Sequence, residues 1–367
     1  TLSSSSAASD VYKRQVQTAM GWVADAGLVS ATTRAGGFGF LAGATIAAEA
    51  LEGEIRKVIE ATGGSNFGLN FHMFQDNAAQ CVDLAIAYRL RAVSYGRGPD
   101  ARTIARFKAA GVLCMPTVGA LKHALKAEQL GADLITLQGG EGGGHTGGVP
   151  SSILLPQVLD AVRVPVIAAG GFATGRGLAS ALAAGAAGIA MGTRFLMTRE
   201  SPTPAATLER YLKVSDPQQV RVTTAVDGMR HRMIENPFIN RLEQAGPFGR
   251  LRIALGSAWQ WKQHTGMSLG HMAAVFLRAV REDPAALSQV VMAANQPVLL
   301  QRSMVDGLPD QGILPSGQVA AAIGELLDCR QVIEGIASEA EACLDALLAR
   351  RGSAETIINT ISIGEPL

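Results

Sequence analysis

The amino-acid sequence predicts an α/β fold: a TIM (β/α)8 barrel with a mostly helical cap region. Three observations support this prediction. Short apolar runs recur at spacings of about 20 to 30 residues, as strand-plus-helix units do. Amphipathic, helix-like stretches separate them, and the densest glycine clusters follow the later runs rather than the first. Continuous apolar strands alternating with helices are typical of a parallel sheet covered on both faces.

Eight strands are predicted within roughly 180 residues, which is the count of a (β/α)8 barrel. They are Val16–Met20, Gly39–Leu41, Phe67–Asn70, Ala92–Tyr95, Val112–Thr117, Leu134–Gln138, Val164–Ala169 and Gly188–Met191. Helical stretches such as Ala79–Leu90 and Gly175–Ala184 lie between them. A doubly wound open sheet is the alternative, but it more often carries its glycine-rich fingerprint after the first strand.

Composition shifts divide the chain into five parts. Residues 1–15 are polar and Ser-rich and begin without Met, so they are predicted to be a non-native head. The barrel is assigned to residues 16–199. Frequent prolines and fewer glycines then predict a helical cap or substrate region over 200–300. Residues 301–350 are predicted to pack back on the barrel, and 351–367 to form a loose tail.

Composition also excludes several classes of protein. With 48% hydrophobic and only 17% charged residues, the 367-residue chain can fill a core, which excludes general disorder. A net charge of +1 argues against a nucleic-acid binder. No apolar run reaches the ~20 residues of a membrane-spanning helix. The spacing of the four cysteines suits neither a disulfide framework nor a zinc site: Cys81, Cys114, Cys329 and Cys343. The sequence therefore predicts a cytoplasmic protein without a metal, and it leaves homo-oligomerisation open.

Two glycine-rich turns predict a phosphate site. Barrel active sites lie at the C-terminal ends of the strands, and phosphate is often bound by the loops after strands seven and eight. Ala169-Gly170-Gly171 follows the seventh predicted strand, and Met191-Gly192-Thr193 follows the eighth. Glycine lets the backbone approach an anion closely, and the following helices direct N–H groups at it. The alternative is that these glycines only satisfy tight turns.

The loop after the sixth predicted strand, Gln138–Gly148, contains seven glycines, one imidazole and one carboxylate. An isolated histidine is more often structural. At the end of a barrel strand beside a phosphate site, however, His145 is predicted to act as an acid/base group, because imidazole titrates near pH 6.5. Glu141 is either a partner of His145 or a solvated loop carboxylate.

These motifs together resemble the nitronate monooxygenase family, also called 2-nitropropane dioxygenase-like flavoproteins. The most specific stretches are Gln138–Gly147, Pro165–Leu178 and Met191–Thr198. The resemblance covers Val16–Gly246 and Val290–Ala337. It implies a barrel that binds FMN non-covalently and is covered by a helical domain.

Carried over position by position, the resemblance implies a role for each candidate residue. The FMN phosphate would meet Gly170 and Gly171 after strand seven, and Gly192 and Thr193 after strand eight. Ala169 would also contact the cofactor. The flavin ring would lie near five residues: Ala19, Met20, Asn70, Gln138 and Gly143. His145 matches the catalytic histidine of the family, which would assist removal of the proton beside the nitro group before FMN accepts an electron and O2 reoxidises it.

The chain departs from the family pattern at two places. Many relatives carry a lysine at the end of the fifth strand, where Thr117 stands here. That leaves open how charge on the reduced flavin is stabilised, and a helix dipole could serve instead. The residues after the third strand, Phe71–Asp76, differ from those of the quinone-reductase branch.

One branch of the family matches further along the chain. Val222–Arg232 and Val291–Gln318 are similar to flavin-dependent CoA-thioester oxidoreductases of steroid-ring catabolism, which implies a bicyclic indane-dione carboxyl-CoA substrate. Cations for CoA could come from Arg230, His231, Arg232, Arg250, Arg252 and Lys262. The alternative is that these basic residues are only solvated, as such residues on a helical surface usually are. Three alternatives stay open: a nitronate monooxygenase proper, an enoyl-thioester reductase, and a non-catalytic barrel that binds a phosphate ligand.

Overall fold

A computed structural model describes residues 14–73, 75–96, 98–246, 249, 256 and 295–351. The strands are β1 (Gln15–Gln17), β2 (Phe38–Ala42), β3 (Gly68–Phe71), β4 (Ala92–Tyr95), β5 (Leu113–Cys114), β6 (Thr117–Val118), β7 (Ile135–Gln138), β8 (Gly144–His145), β9 (Val166–Ala169), β10 (Gly188–Met191), β11 (Val220–Thr223) and β12 (His231–Ile234). The α-helices are α1 (Ala26–Arg34), α2 (Ala48–Thr62), α3 (Ala78–Ala87), α4 (Ala101–Ala109), α5 (Leu121–Leu130), α6 (Ser151–Ala161), α7 (Gly175–Ala183), α8 (Thr193–Leu196), α9 (Ala205–Leu212), α10 (Pro237–Gln244), α11 (Asn295–Met304) and α12 (Cys329–Arg351). Short 3-10 helices cover Gly43–Thr45, Pro217–Gln219 and Gln318–Ala322.

Nine parallel segments form one curled sheet in the order β5-β4-β3-β2-β1-β10-β9-β7-β6. The two end segments, β5 and β6, are the halves of the predicted fifth strand, and only Met115 and Pro116 separate them. Proline has no N–H to donate to a ladder, but the Pro116 carbonyl oxygen still accepts from the Thr136 backbone N–H at 2.9 Å. Since β5 pairs with β4 and β6 pairs with β7, the fifth strand closes the ring. The predicted barrel is confirmed.

One layer of side chains fills the barrel interior. It comprises Val16, Phe40, Ala92, Met115, Ile167, Ala169 and Ala190. The strands direct their other side chains outward against the helices, in two larger apolar clusters. Ala169 on β9 and Ala190 on β10 have small side chains, which leaves space beside them at the C-terminal ends of the strands.

The region after residue 199 contains helices, as the sequence predicts, and also two strands that it does not indicate. Strands β11 and β12 form an antiparallel pair, and β12 pairs in turn with β8, which lies within the glycine-rich loop. The predicted boundaries at residues 199 and 300 stay predictions, since residues 257–294 are outside the described part. No helix among the described residues has the length and apolar character needed to cross a bilayer.

The C-terminal helix α12 packs along α7 and α1. Helices α12 and α7 lie close together at Gly175, where a Cβ would meet the backbone nitrogen of Ala340 and the carbonyl oxygen of Ile336. The Gly175 backbone N–H donates to the Glu339 carboxylate at 2.7 Å. The missing side chain thus lets the two helices approach closely.

We expect Gly175→Ala to lower the free energy of unfolding by about 1–3 kcal/mol, because the added methyl group overpacks this crossing. Gly335→Ala is the matched control on α12, since a Cβ there meets nothing within 4 Å. It is expected to raise the free energy of unfolding by about 0.5–1 kcal/mol through helix propensity. Urea denaturation measures both. Equal effects of the same sign would show that the crossing does not depend on Gly175.

Candidate active site

A cavity of about 400 Å³ opens at the C-terminal ends of the barrel strands. All eleven residues predicted for the site line it: Ala19, Met20, Asn70, Gln138, Gly143, His145, Ala169, Gly170, Gly171, Gly192 and Thr193. The fold therefore brings these residues together around one space. Helix α11 and residues 315–319 contribute a further part of the wall, including Leu300, Met304 and Gly317. The particular role of each residue stays a prediction.

The glycine-rich loop is held in place by the segment that follows α11. A Cβ on Gly143 would come 2.5 Å from the Ser316 carbonyl carbon and 2.6 Å from the Gly317 nitrogen. The Gly317 N–H in turn donates to the Thr193 hydroxyl oxygen at 2.9 Å. Gly143 is thus required by close backbone packing, which fixes the loop against the start of α8.

The glycines of the two turns predicted to hold phosphate differ in what an added side chain would contact. Gly170 has φ +94°, and a Cβ there would lie 2.9 Å from the Gly139 carbonyl oxygen, so packing between loops demands glycine. Gly171 has φ +83°, and its Cβ would come no closer than 3.5 Å to another residue, Glu141. A Cβ on Gly192 would lie 3.1 Å from the Thr18 hydroxyl oxygen. The absent side chains of Gly171 and Gly192 keep the cavity wall open. Since α8 is a single turn, its dipole is short.

The predicted acid/base residue has a carboxylate partner that the sequence did not reveal. His145 Nε2 lies 2.6 Å from Asp227 Oδ2. The Asp227 side chain is 1% exposed, whereas that of His145 is 39% exposed. The other carboxylate oxygen of Asp227 accepts from the Met229 backbone N–H at 3.0 Å. Both carboxylate oxygens are therefore engaged, and the imidazole is held at the cavity wall.

The electrostatics of this pair favour an ionised Asp227. Burial alone would raise the pKa of its carboxyl group, but the hydrogen bond and charge of His145 outweigh burial and hold that pKa below its usual range. Strand β12 adds His231, whose ring centroid lies 4.6 Å from that of His145 with the planes at 33°. Burial, reinforced by the charge of His145, lowers the pKa of His231 to about 4.

His231 is consequently neutral near pH 7 and nearly inaccessible. The prediction that it supplies a cation to CoA is wrong, because a charged imidazole would lose its hydration in that buried position. Arg232 is half-buried and donates to the carbonyl oxygens of Gly140, at 2.9 Å, and Val220, at 3.1 Å. It therefore supports the glycine-rich loop. Arg230 is exposed, and the other three predicted cations lie outside the described residues: Arg250, Arg252 and Lys262.

Glu141 takes neither of its two predicted roles. Its carboxylate accepts from the Ser151 backbone N–H, at 2.9 and 3.0 Å, and from the Ser151 hydroxyl group at 3.0 Å. Ser151 opens α6, so the acidic group satisfies a free N–H at a helix N-terminus and complements the helix dipole. Glu141 ties the glycine-rich loop to α6 and is not the partner of His145.

The cavity wall around Thr117, where many members of the family carry a lysine, is polar. Thr117 lines the cavity, and its hydroxyl oxygen lies 3.5 Å from that of Ser94. His72, from the second departure, also lines the cavity, with its Nδ1 3.3 Å from the Gly96 carbonyl oxygen. The sequence did not mark His72 or Ser94 as site residues. Their position one or two residues from the end of a barrel strand is the signal that could have found them.

A cofactor-sized cavity at the C-terminal end of a (β/α)8 barrel, beside a histidine held by a buried carboxylate, defines a barrel enzyme equipped for acid–base chemistry. The nitronate monooxygenase family model matches residues 5–83 and 77–339. The chain belongs to the nitronate monooxygenase family. Because this family consists of flavin-dependent oxidoreductases, the predictions of an oxidoreductase and of a flavin cofactor are confirmed at the level of the family.

Individual relatives match almost the whole chain. The sequence is 44% identical over 336 residues to the (3aS,4S,5R,7aS)-5-hydroxy-7a-methyl-1-oxo-octahydro-1H-indene-4-carboxyl-CoA dehydrogenase of Rhodococcus jostii (strain RHA1), covering 92% of this chain and 95% of the relative. The structure of FabK from Thermotoga maritima matches with a TM-score of 0.75 and 27% identity, over 94% of this chain and 98% of FabK. Nitroalkane oxidase from Streptomyces ansochromogenes matches with a TM-score of 0.72 and 26% identity, over 92% and 99%.

Proposed function

We propose that the protein is an FMN-dependent oxidoreductase that dehydrogenates the CoA thioester of a hydroxylated bicyclic indane carboxylic acid. The substrate class rests on the 44% identity to the Rhodococcus dehydrogenase across 95% of its length. The chemistry rests on one observation: the 2.6 Å contact between His145 and a buried Asp227 at the cavity wall.

The residues of the cavity suit FMN in size and in chemistry. About 400 Å³ lies within the roughly 300–1,000 Å³ typical of cofactor pockets. The phosphate would be held at Gly171, Gly192 and Thr193, where missing or small side chains leave backbone N–H groups accessible. Ala19 and Met20 would face the ring, and the amides of Asn70 and Gln138 would meet its polar edge. When bound there, the flavin supplies the electron-accepting group.

The protein's own contribution is to hold and move a proton. His145 Nε2 donates to the Asp227 carboxylate, which leaves Nδ1 as the ring nitrogen able to take a proton from the substrate. The carboxylate then stabilises the positive imidazolium that forms. His231 stacks beside it as a neutral ring and adds no opposing charge.

A comparison of two substrates tests the function. We expect the FMN-loaded protein to convert the indane CoA thioester to a product lacking two hydrogen atoms, detected by mass spectrometry, in the presence of an electron acceptor. Propyl-3-nitronate should give slow oxygen uptake. Rapid oxygen uptake with the nitronate and no dehydrogenated thioester would assign the protein instead to the nitronate oxidation that its family is named for.

The phosphate position has a separate test. Gly192→Asp is expected to weaken FMN binding by about 10- to 100-fold, since a carboxylate facing a phosphate costs a few kcal/mol and 1.4 kcal/mol is tenfold in affinity. Gly324→Asp is the matched control, because that glycine is exposed and a Cβ there meets nothing within 4 Å. Fluorescence titration with FMN measures both. Unchanged affinity in Gly192→Asp would place the phosphate elsewhere.

A further inference from the structure

Two histidines at the cavity wall and a buried carboxylate behind them bring their polar atoms close together. His145, Asp227 and His231 each offer one potential ligand atom, and these atoms all lie within 4.8 Å of one another. Within the part of the chain that the structure describes, this is the one group of three or more His, Cys, Asp or Glu side chains with that property. The sequence predicted no metal from the spacing of its cysteines, and His145 lies far from Asp227 and His231 along the chain. Strand pairing brings them together instead.

The backbone holds the three donors in place. His145 and His231 are directly opposite each other on the antiparallel strands β8 and β12, so their side chains leave the same face of the sheet. Asp227 lies four residues before His231, in the turn that precedes β12. The Met229 N–H binds its Oδ1 and leaves Oδ2 directed at His145. Such outer hydrogen bonds are what orient a carboxylate ligand toward a metal.

The donor set selects the kind of ion. Two imidazoles and one carboxylate, with a further position open to water, form a ligand set that Zn²⁺ takes in proteins, at bond lengths of about 2.0–2.2 Å. Tetrahedral geometry at those lengths separates neighbouring ligand atoms by about 3.4 Å. The 2.6 Å contact between His145 and Asp227 would open by less than about 1 Å. The His231 nitrogen, which lies within 4.8 Å of the other two donor atoms, would adjust to the same separation. Mg²⁺ and Ca²⁺ prefer sets made only of oxygen, so two imidazoles disfavour them.

We propose that His145, Asp227 and His231 form a Zn²⁺ site that competes with proton transfer. The ion takes the place of the proton between His145 and Asp227, and that proton is released to solvent. The partly exposed His145 gives the ion access from the cavity. Binding of Zn²⁺ is independent of the proposed substrate, whereas inhibition by Zn²⁺ rests on the proposed function.

Calorimetric titration of the flavin-loaded protein with ZnCl2 tests the site. We expect one Zn²⁺ per chain to bind here, and MgCl2 to give no comparable heat. His231→Gln should weaken this binding by at least about 100-fold, beyond the 10- to 100-fold usual for changes outside the ligand set. His123→Gln is the matched control, because His123 is exposed on α5, and it should bind Zn²⁺ as the unmodified protein does.

A second ion and a second variant keep the test decisive. Co²⁺ in place of Zn²⁺ should give a visible absorption band that disappears in His231→Gln. If His231→Gln fails to fold, judged by its unfolding midpoint and flavin spectrum, the conservative Asp227→Asn takes its place with the same expected loss. Absence of Zn²⁺ binding in the unmodified protein, or equal binding in a folded ligand variant, would overturn the proposal. Both readouts are independent of turnover, so they stand even if the proposed substrate is wrong.

Discussion

Replacing His145 by alanine is expected to lower turnover by about 10²–10⁴-fold, the range for loss of a general acid or base, while the protein keeps its flavin. The imidazole lies at the cavity wall with its side chain 39% exposed. Its removal therefore takes away a proton acceptor without opening the core. Steady-state turnover of the CoA thioester and the flavin absorbance of the purified variant measure the two quantities.

His123→Ala controls for loss of an imidazole at a surface position, and its turnover should equal that of the unmodified protein. Undiminished turnover in His145→Ala would remove this residue from the chemistry. Loss of the flavin together with turnover would instead assign it a supporting role in the cavity wall.

Asp227→Asn is expected to lower kcat by about 10²–10⁴-fold, as in other carboxylate–histidine pairs where an amide stabilises the wrong ring tautomer. With Oδ1 still bound to the Met229 N–H, the new amide group would donate to Nε2. The proton of the imidazole would then sit on Nδ1, the nitrogen that must accept one. Because Asp227 does not touch the flavin or substrate in this arrangement, KM and flavin content should change little.

A double substitution separates positioning from a merely structural role. In a His145→Ala background, Asp227→Asn should have almost no further effect on kcat, since Asp227 acts through the imidazole. Asp216→Asn, at an exposed cap outside the cavity, is the control. Independent, multiplying losses in the double variant, or a rise in KM equal to the fall in kcat, would contradict the assigned role.

Local sequence signals predicted the barrel well. Each strand that the structure shows in the barrel overlaps a predicted apolar run, because strands buried on both faces are nearly continuous in apolar residues. The break in the fifth strand was also visible in principle, since Pro116 lies inside the predicted run and cannot donate to a ladder. The glycine-rich turns could be located because they directly follow those strands.

Contacts between distant parts of the chain could not be predicted in the same way. Asp227 reaches His145 because β12 pairs with β8, two segments that are far apart in sequence. A strand as short as β12, with a histidine and an arginine among its four residues, gives a weak sequence pattern. The neutral state of His231 follows from burial, which composition does not show. Glu141 binds Ser151 because its loop folds back on α6. The sequence does not predict that path of the backbone, since a loop rich in glycine can adopt many conformations.

Anaerobic mixing of the flavin-loaded protein with the indane CoA thioester tests most directly whether a proton taken at His145 accompanies flavin reduction. The flavin absorbance should bleach in the unmodified protein and at least about 10²-fold more slowly in His145→Ala, since the general base is missing. A flavin that stays oxidised with the thioester, or one that bleaches equally fast without His145, would contradict this function.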